Sequence, residues 1–175
     1  CCLDVQSGRI IWDFDQVKGF VVSKPLFYNN RIYFGCWANE FYALDPVTGK
    51  LIWKWNNGSS NRMYSPAACW PVGANNRVFI VAPDRYMTAF DAVTGQVIWR
   101  EQKTDIRVRE SMGLSEDHSL VYAKTMDGTL LGFSSTADSM ELVWRSQLKL
   151  PYEICPTAIT EYDGIVFIPS NSGLV

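Results

Sequence analysis

The sequence predicts an all-β fold assembled from repeated four-stranded units. Runs rich in Val, Ile, Tyr, Phe and Trp alternate with short clusters of Gly, Asn, Asp, Ser and Pro, which is the pattern of strands and tight turns. No stretch of the 175 residues holds a helical period for long. Trp12, Trp53, Trp99 and Trp144 recur at intervals of 41 to 46 residues. Because a repeat of about 40 to 45 residues with four short strands is typical of a propeller blade, we predict a β-propeller.

The first complete repeat shows its four strands most plainly. Asn29-Asn30 is a tight-turn dipeptide between the first two strands, and the other two connections are short and polar. The predicted strands are SKPLFY (23–28), RIYFGC (31–36), FYALD (41–45) and KLIWKW (50–55).

The next two repeats follow the same order. One places its strands in SPAACWPV, RVFIVA, YMTAFD and QVIWR. The other places them in ESMGLS, LVYAKT, TLLGFS and ELVWR, with a longer turn near STADSM before its outer strand. Because each repeat has four strands in the same order, joined by short turns, we predict antiparallel, four-stranded blades throughout.

The two ends of the chain each supply half of a blade. Residues 1–12 carry the last two strands of a repeat, and residues 154–175 carry the first two. We therefore expect about four blades' worth of one propeller, with complete blades at about 20–55, 64–100 and 109–145. The halves could complete a fourth blade within the chain, or two copies could form a ring of eight. We favour a third interpretation, in which the chain is a segment of a longer propeller.

Composition excludes several classes of function. The balance of 16 Lys+Arg against 18 Asp+Glu gives a net charge of −2, which argues against a nucleic-acid partner. No apolar run approaches the roughly 18 residues that a membrane-spanning helix needs. The five cysteines are an odd number without close paired spacing, so neither a disulfide framework nor a zinc site is predicted.

A motif recurs at the turn before each outer strand. Its full form, Ala-x-Asp-x-x-Thr-Gly-x-x-x-Trp, occurs at 43–53 and again at 89–99. The first copy keeps only the Asp, Gly and Trp, and the fourth keeps only Trp144. This motif resembles the tryptophan-docking repeat of propellers of the pyrroloquinoline-quinone (PQQ) type. That superfamily includes the quinoprotein alcohol dehydrogenases and the outer-membrane assembly lipoprotein.

We interpret the repeated residues as structural rather than catalytic. The aspartate can accept backbone N–H bonds across the turn, and the glycine takes a positive φ that a Cβ disfavours. The resemblance implies that each tryptophan docks against the neighbouring blade. The structural set is Asp4, Gly8, Trp12, Asp45, Gly49, Trp53, Asp91, Gly95, Trp99 and Trp144.

Candidate binding residues lie in the segments that do not repeat. These are the entries to the inner strands and the turns between second and third strands, which meet at one end of a propeller. Aromatic faces mixed with guanidinium groups suit a carboxylated ligand, a sugar-like ligand or a peptide. The candidates are Trp37, Asn39, Arg62, Tyr64, Arg85, Tyr86, Arg107, Arg109, Glu110, Lys124, Asp127 and Tyr152.

The resemblance implies a non-catalytic binding or scaffolding propeller, extracytoplasmic, in a larger chain or assembly. The expected partner is a protein or a small polar or sugar-like ligand, with no cofactor and no metal. Self-association through unpaired blade edges is a further expectation. The alternative is part of a PQQ- and calcium-dependent quinoprotein alcohol or sugar dehydrogenase. Such an enzyme needs carboxylate and amide ligands for calcium and an aspartate base, and no stretch here matches those ligand motifs.

Two other features are interpreted as structural. Cys1-Cys2 has the vicinal arrangement of a disulfide found in some quinoprotein dehydrogenases, but both residues align with an extended strand whose neighbours face opposite ways. His118, the single histidine, falls in a predicted hairpin turn without a second histidine to support metal or triad chemistry.

Overall fold

The computed structural model describes residues 1–103, 105–149 and 158–169. Over these residues the chain is almost entirely strand and turn, in agreement with the predicted all-β propeller. An amino-terminal half-blade, three complete blades and a carboxyl-terminal half-blade follow one another along the chain.

The amino-terminal half-blade and blade 1 contain the first six strands. The half-blade consists of β1 (Cys2–Leu3) and β2 (Ile10–Trp12), and blade 1 of β3 (Leu26–Tyr28), β4 (Arg31–Gly35), β5 (Glu40–Leu44) and β6 (Leu51–Asn56).

Blades 2 and 3 and the carboxyl-terminal half-blade contain the remaining ten described strands. Blade 2 consists of β7 (Val72–Ala74), β8 (Arg77–Val81), β9 (Met87–Asp91) and β10 (Val97–Glu101). Blade 3 consists of β11 (Val108–Leu114), β12 (Leu120–Thr125), β13 (Thr129–Ser134) and β14 (Leu142–Lys149). The half-blade consists of β15 (Ile159–Tyr162) and β16 (Ile165–Phe167).

Each complete blade is an antiparallel meander. In blade 1 the register aligns Tyr33 with Ala43, and Ala43 with Trp53, so a small residue separates two aromatic ones. Blade 3 differs because its inner strand β11 also pairs in parallel with β15, at Gly113 and Ile159. A Cβ on Gly113 would lie 2.1 Å from the Ile159 carbonyl oxygen, so only glycine permits this approach. Blade 3 and the following half-blade therefore form one six-stranded sheet.

The inner strands of blades 1 and 2 are shorter than predicted. Strand β3 covers only the last three residues of the predicted 23–28. The predicted strand SPAACWPV instead begins with 3-10 turns at Arg62–Tyr64 and Pro66–Ala68, and β7 begins at Val72. Asn61 accepts a bond from the Met63 backbone N–H at 3.1 Å, and Pro66 occupies the first turn position, so local capping outweighs strand propensity here.

The core lies between neighbouring blades. Tyr33 and Phe41 of blade 1 and Phe79 and Phe90 of blade 2 are fully buried. The Phe41 and Phe90 rings stack across the boundary with centroids 5.5 Å apart. Since burying one such side chain stabilises a fold by about 1.5–3 kcal/mol, this boundary is a main source of stability.

Three of the repeated tryptophans contact the next repeat along the chain. The indole N–H groups of Trp12 and Trp53 donate to the backbone carbonyl of the residue that follows the motif aspartate, and that of Trp99 donates to a carbonyl three residues after Ser134 in the longer turn of blade 3. The donor and acceptor pairs are Trp12 with Pro46 (3.0 Å), Trp53 with Ala92 (3.3 Å) and Trp99 with Ala137 (3.1 Å).

The motif glycines lie directly beneath these indoles. Gly49 and Gly95 have φ values of +68° and +74°. A Cβ at Gly49 would lie 2.4 Å from the Trp12 ring, and one at Gly95 would lie 2.5 Å from the Trp53 ring. These glycines are required by both the turn and the contact.

The motif aspartates hold their turns from within. Asp45 Oδ1 accepts bonds from the backbone N–H groups of Val47 at 3.0 Å and Thr48 at 2.7 Å. These bonds, that of Thr48 first, lower the pKa of Asp45. In blade 3 the Ser134 hydroxyl takes this position, since it accepts from the backbone N–H groups two and three residues ahead.

The amino-terminal cysteines occupy the predicted strand register. Cys2 pairs with Trp12 as Ala43 pairs with Trp53, and both Cys1 and Cys2 carry free thiols. Cys155 lies outside the described residues. His118 lies in the turn between β11 and β12 with φ +61°, and its side chain is exposed.

Candidate functional site

A polar cavity of about 500 Å³ lies at one end of the propeller, between blades 1 and 2. One wall is the connection from β6 to β7, and the other is formed by the turn between β8 and β9 with the end of β10. The lining residues are Ser59, Tyr64, Pro83, Asp84, Arg85, Tyr86, Arg100 and Gln102. Tyr64, Arg85 and Tyr86, which the sequence predicts as binding residues, are brought together here.

A stacked arginine organises one wall of the cavity. Arg100 forms an ion pair with Asp84, with Nη2 and Oδ2 2.6 Å apart. Its guanidinium lies 3.8 Å from the ring centroid of Tyr86 and 5.7 Å from that of Trp55, within the range of cation–π attraction. Arg100 therefore orients the tyrosine ring while its own charge is neutralised.

The pKa of the Asp84 carboxyl is subject to two opposite effects. Burial raises the pKa of its carboxyl above the usual value. The backbone N–H of Tyr86, which donates to Oδ1 at 3.0 Å, and the Arg100 guanidinium both act to lower that pKa. Two directed contacts thus offset part of the cost of burying the carboxylate, which is the usual arrangement of a supporting group rather than an exposed ligand-binding acid.

The charge of the Arg85 guanidinium, unlike that of Arg100, is not neutralised by a carboxylate in the cavity wall. Arg85 has φ +69°, in the left-handed region that is uncommon for residues other than glycine. Its backbone N–H donates to the Ala82 carbonyl at 2.8 Å, which closes the tight turn. Its side chain is exposed, and within the described part of the chain no ion pair or hydrogen bond involves its guanidinium.

Asn39 holds the opposite wall in place. It has φ +62° and is 2% exposed. Its side-chain amide donates to the carbonyls of Ser59 at 2.7 Å and Asn61 at 3.2 Å, and its Oδ1 accepts from the Ser65 hydroxyl. The side-chain amide is engaged within the chain on both of its polar atoms, so Asn39 positions the loop and is not presented to solvent.

Several other predicted residues lie at this end but outside the cavity. Arg62 is exposed on the first 3-10 turn, and Arg107 is exposed just before β11. Trp37 is half-buried, and its backbone N–H donates to the Phe20 carbonyl at 2.9 Å.

Two charged candidates of blade 3 have internal contacts. Lys124 is 3% exposed, and its Nζ donates to the Pro169 carbonyl at 3.3 Å. Asp127 is exposed, and it accepts a short bond from the Thr125 hydroxyl. Arg109 and Glu110 belong to β11, but their side chains fall outside the described part, and Tyr152 lies outside the described residues altogether.

Sequence reasoning missed Asp84, Arg100 and Gln102. Arg100 follows the repeated Trp99 on an outer strand, a place that the repeat marks as scaffold. Lys54 and Arg145 occupy the same place in blades 1 and 3, so the sequence alone does not single out Arg100. Only the structure shows that its guanidinium stacks on Tyr86, a contact that a guanidinium makes better than a compact ammonium.

The structure offers no clustered ligands for a metal among residues 1–103, 105–149 and 158–169. No three His, Cys, Asp or Glu side chains of these segments come together. In the same segments no helix is long and apolar enough to cross a membrane.

Comparison with known proteins places these features in a family. A family model described as outer membrane protein assembly factor BamB matches residues 1–153. The dehydrogenase subunit of quinone alcohol dehydrogenase from Gluconacetobacter polyoxogenes is 31% identical over 31% of this chain and 9% of its own length. The corresponding subunit from Gluconobacter oxydans (strain 621H) is 31% identical over 29% of this chain and 8% of its own length. The chain thus spans less than a tenth of these relatives.

Solved structures share the fold at low sequence identity. BamB from Moraxella catarrhalis superposes with a TM-score of 0.62 at 20% identity, covering 84% of this chain and 46% of that one. The computationally designed Ika4 protein gives a TM-score of 0.71 at 17% identity, covering 95% and 94%. With the family model extending over most of its length, this chain belongs to the PQQ-type propeller repeat family described as outer membrane protein assembly factor BamB.

Proposed function

We propose that this chain is a non-catalytic binding propeller segment of a larger extracytoplasmic protein or assembly, and that it binds at the polar cavity between blades 1 and 2. The exposed guanidinium of Arg85, beside the rings of Tyr64 and Tyr86, is the observation that carries the proposal. The family description, which concerns assembly of outer-membrane proteins, favours a polypeptide as the partner.

The chemistry of the cavity favours a carboxylate-bearing ligand. A guanidinium binds a carboxylate through two parallel hydrogen bonds, and aromatic faces accept the adjoining apolar atoms. Because Asp84 neutralises the charge of Arg100, the preference of the cavity for an anionic ligand depends on Arg85. A volume of about 500 Å³ accommodates one or two amino-acid side chains or a single uronic acid.

The first test uses defined probes. We would titrate the chain with a blocked pentapeptide containing two aspartates, with its asparagine analogue, and with galacturonate, and follow binding by NMR or calorimetry at low salt. We expect the acidic probes to bind better than the neutral analogue. Arg85→Ala should weaken binding about tenfold or more, since a hydrogen bond to a charged group contributes about 1.5–3 kcal/mol.

Arg62→Ala is the matched control, because Arg62 is exposed at the same end but does not line the cavity. It should leave binding and the melting temperature unchanged. Equal losses in both variants would show a diffuse charge effect, and no binding of any acidic probe would remove the proposal.

We also propose that the tryptophan contacts serve to dock successive blades. The three indole-to-carbonyl bonds and the glycines beneath the rings support this role. Trp144 would contact the following blade in the same way. Because the repeated residues serve to dock the blades, we expect ligand binding to involve the connections whose sequence varies between repeats.

The alternative function is part of a quinoprotein alcohol or sugar dehydrogenase, and the likeness to quinone alcohol dehydrogenase subunits supports it. Among residues 1–103, 105–149 and 158–169 no three His, Cys, Asp or Glu side chains come together. The test is to add PQQ and calcium chloride and to follow absorbance and dye-linked alcohol oxidation. Stoichiometric quinone uptake with turnover would establish the enzyme and contradict the binding segment.

A further inference from the structure

A second cavity, which we call the inner groove, lies between the first strands of blades 1 and 2. Its volume is about 380 Å³, and it shares no lining residue with the polar cavity. One wall is formed by residues 24–27, which lead into β3, and the other by Trp70 and Pro71, just before β7. Both walls belong to complete blades, and no described residue of either half-blade lines the groove.

Lys24 and Trp70 occupy the same position in successive blades. Leu26 and Val72 are equivalent, because each pairs with the third residue of the strand that follows it. Lys24 and Trp70 lie two residues before them, and each precedes a proline. The prolines have no backbone N–H and add only apolar surface to the walls. One register position therefore supplies an ammonium from one wall and an indole from the other.

The two polar side chains of the inner groove are both donors without an internal acceptor. Lys24 is exposed, and within the described part of the chain no ion pair or hydrogen bond involves its ammonium. The indole nitrogen of the half-buried Trp70 is neither hydrogen-bonded within that part nor buried, so its N–H is open to solvent. The docking tryptophans differ, since their N–H groups donate to carbonyls of the next repeat. Two open donors with no carboxylate in the lining favour an anion.

The remaining side chains of the lining are apolar. They are Leu26, Phe27 and the two prolines, and Leu26 also packs against the main core. Further along the two strands the Tyr28 ring lies against Gly73, where an added Cβ would come within 2.4 Å of the ring, so the strands touch and the groove ends there. Small-molecule sites are mostly apolar with a few placed polar groups, and the inner groove has this composition.

We propose that the inner groove binds a small monocarboxylic acid with an aromatic ring, as a second site independent of the polar cavity. Lys24 Nζ and the Trp70 indole N–H donate to the carboxylate, and the ring of the acid packs against the indole and the apolar lining. A volume of about 380 Å³ holds one ring with its acid group, about ten non-hydrogen atoms. A sugar acid fits less well, because the lining offers its hydroxyl groups few partners.

Ligand-observed fluorine NMR with 4-fluorophenylacetate tests the site. We expect binding of this acid and much weaker binding of 4-fluorophenylacetamide, which lacks the charge, and of fluoroacetate, which lacks the ring. Lys24→Met should weaken binding of the acid about tenfold or more, since a hydrogen bond to a charged group is lost. Lys24→Arg should retain binding. Trp70→Phe keeps a ring without the N–H and should weaken binding about threefold or more.

Lys50→Met is the matched control, because Lys50 is exposed on the same blade but does not line the groove. It should leave the affinity for 4-fluorophenylacetate unchanged. The proposal is overturned if the acid does not bind, if the acid and its amide bind equally, or if the Lys24 and Lys50 variants lose the same affinity.

Competition separates this site from the polar cavity. An excess of the blocked two-aspartate pentapeptide should not displace 4-fluorophenylacetate, because the two cavities share no lining residue. Displacement would assign the acid to the polar cavity and overturn the inner groove as its site. Failure of the pentapeptide to bind at all would count against the polar cavity alone.

A polypeptide end can carry the same ring and carboxylate. N-acetyl-dialanyl-4-fluorophenylalanine should bind more weakly than the free acid, because its backbone polar groups would lie against apolar lining. Tighter binding of this peptide would overturn the assignment to a small acid.

Discussion

Gly95 combines a backbone requirement with a packing requirement. Its φ of +74° favours glycine, and the Trp53 ring occupies the space where a Cβ would lie. Gly8 has nearly the same φ, +69°, but nothing lies within 4 Å of its Cβ position. The two glycines therefore separate the cost of the turn from the cost of losing the tryptophan contact.

Gly8→Ala should reduce the free energy of unfolding by about 1–2 kcal/mol, the cost of a left-handed non-glycine residue. Gly95→Ala should lose that amount and about 1–3 kcal/mol more, because the indole must move. Urea denaturation followed by tryptophan fluorescence measures both. Equal losses would show that the indole contact contributes nothing.

The motif aspartates make stability depend on pH. Bonds from Thr94, its backbone N–H first, lower the pKa of Asp91 below its usual value. A lowered folded-state pKa gives stability that is present above the unfolded pKa and is lost as pH falls through the folded one. Asp91→Asn should therefore make the loss of stability below about pH 4 shallower than in the unmodified chain.

Asp84→Asn provides a contrast of opposite sign. Burial raises the pKa of Asp84, so its contribution to stability is greatest at low pH and is lost as pH rises through that raised pKa. Asp84→Asn removes this contribution, which opposes unfolding in acid. The free energy of unfolding should therefore fall more steeply with decreasing pH than in the unmodified chain. Melting temperatures between about pH 3 and pH 6 test both variants, and parallel curves for the two would contradict this assignment.

Single residues could be predicted from the sequence where the repeat is strict. The positive-φ glycines and the aspartate bonds follow from the motif, because each turn repeats the same spacing. Ser134 could not be recognised as the fourth aspartate, since a longer turn follows it. A hydroxyl accepts the same backbone bonds, and only the geometry reveals that equivalence.

Among structural elements, the connection from β6 to β7 shows how a loop is held in place by one residue. Asn39 is outside the loop but bonds to the carbonyls of two loop residues, Ser59 and Asn61. Its positive φ allows the side chain to reach them. The loop forms one wall of the polar cavity, so its order depends on a buried residue on the neighbouring turn.

Asn39→Gly should preserve the backbone conformation and remove these side-chain bonds. We expect a loss of about 1–3 kcal/mol, at about 0.5–1.5 kcal/mol per bond, and faster proteolysis within residues 57–65. Asn30→Gly is the control, because Asn30 also has a positive φ (+54°) but is exposed in a hairpin. Equal proteolysis of both variants would show that Asn39 does not hold the loop.

Elements were predictable where alternation was regular and less so where local caps intervened. Strands β4, β5 and β6 fall within a residue or two of the predicted ranges, because their apolar periodicity is uninterrupted. The segment SPAACWPV combines Pro66 with a capping Asn61, and the two produce 3-10 turns. The polar cavity was predicted only in part, because its wall includes an outer-strand arginine that the repeat concealed.

In the whole molecule, blade 2 is protected on both sides. Residues Val78–Val81 of β8 are at most 1% exposed, whereas Ile10 and Ile11 of β2 are 67% and 59% exposed. Local opening follows the density of buried contacts, so amide exchange should be slowest in β8 and β9 and fastest in β1 and β2.

Hydrogen exchange with mass spectrometry tests this gradient. Uniform exchange over all blades would contradict the gradient.

The parallel pairing of β11 with β15 makes the two ends of the molecule mechanically unequal. The last hairpin is joined to blade 3 by main-chain hydrogen bonds, made possible by Gly113. The first half-blade is attached to blade 1 chiefly by an indole bond and apolar packing. A pulling force or mild denaturant should therefore detach the amino-terminal strands before the carboxyl-terminal hairpin, because only the hairpin is held by main-chain hydrogen bonds.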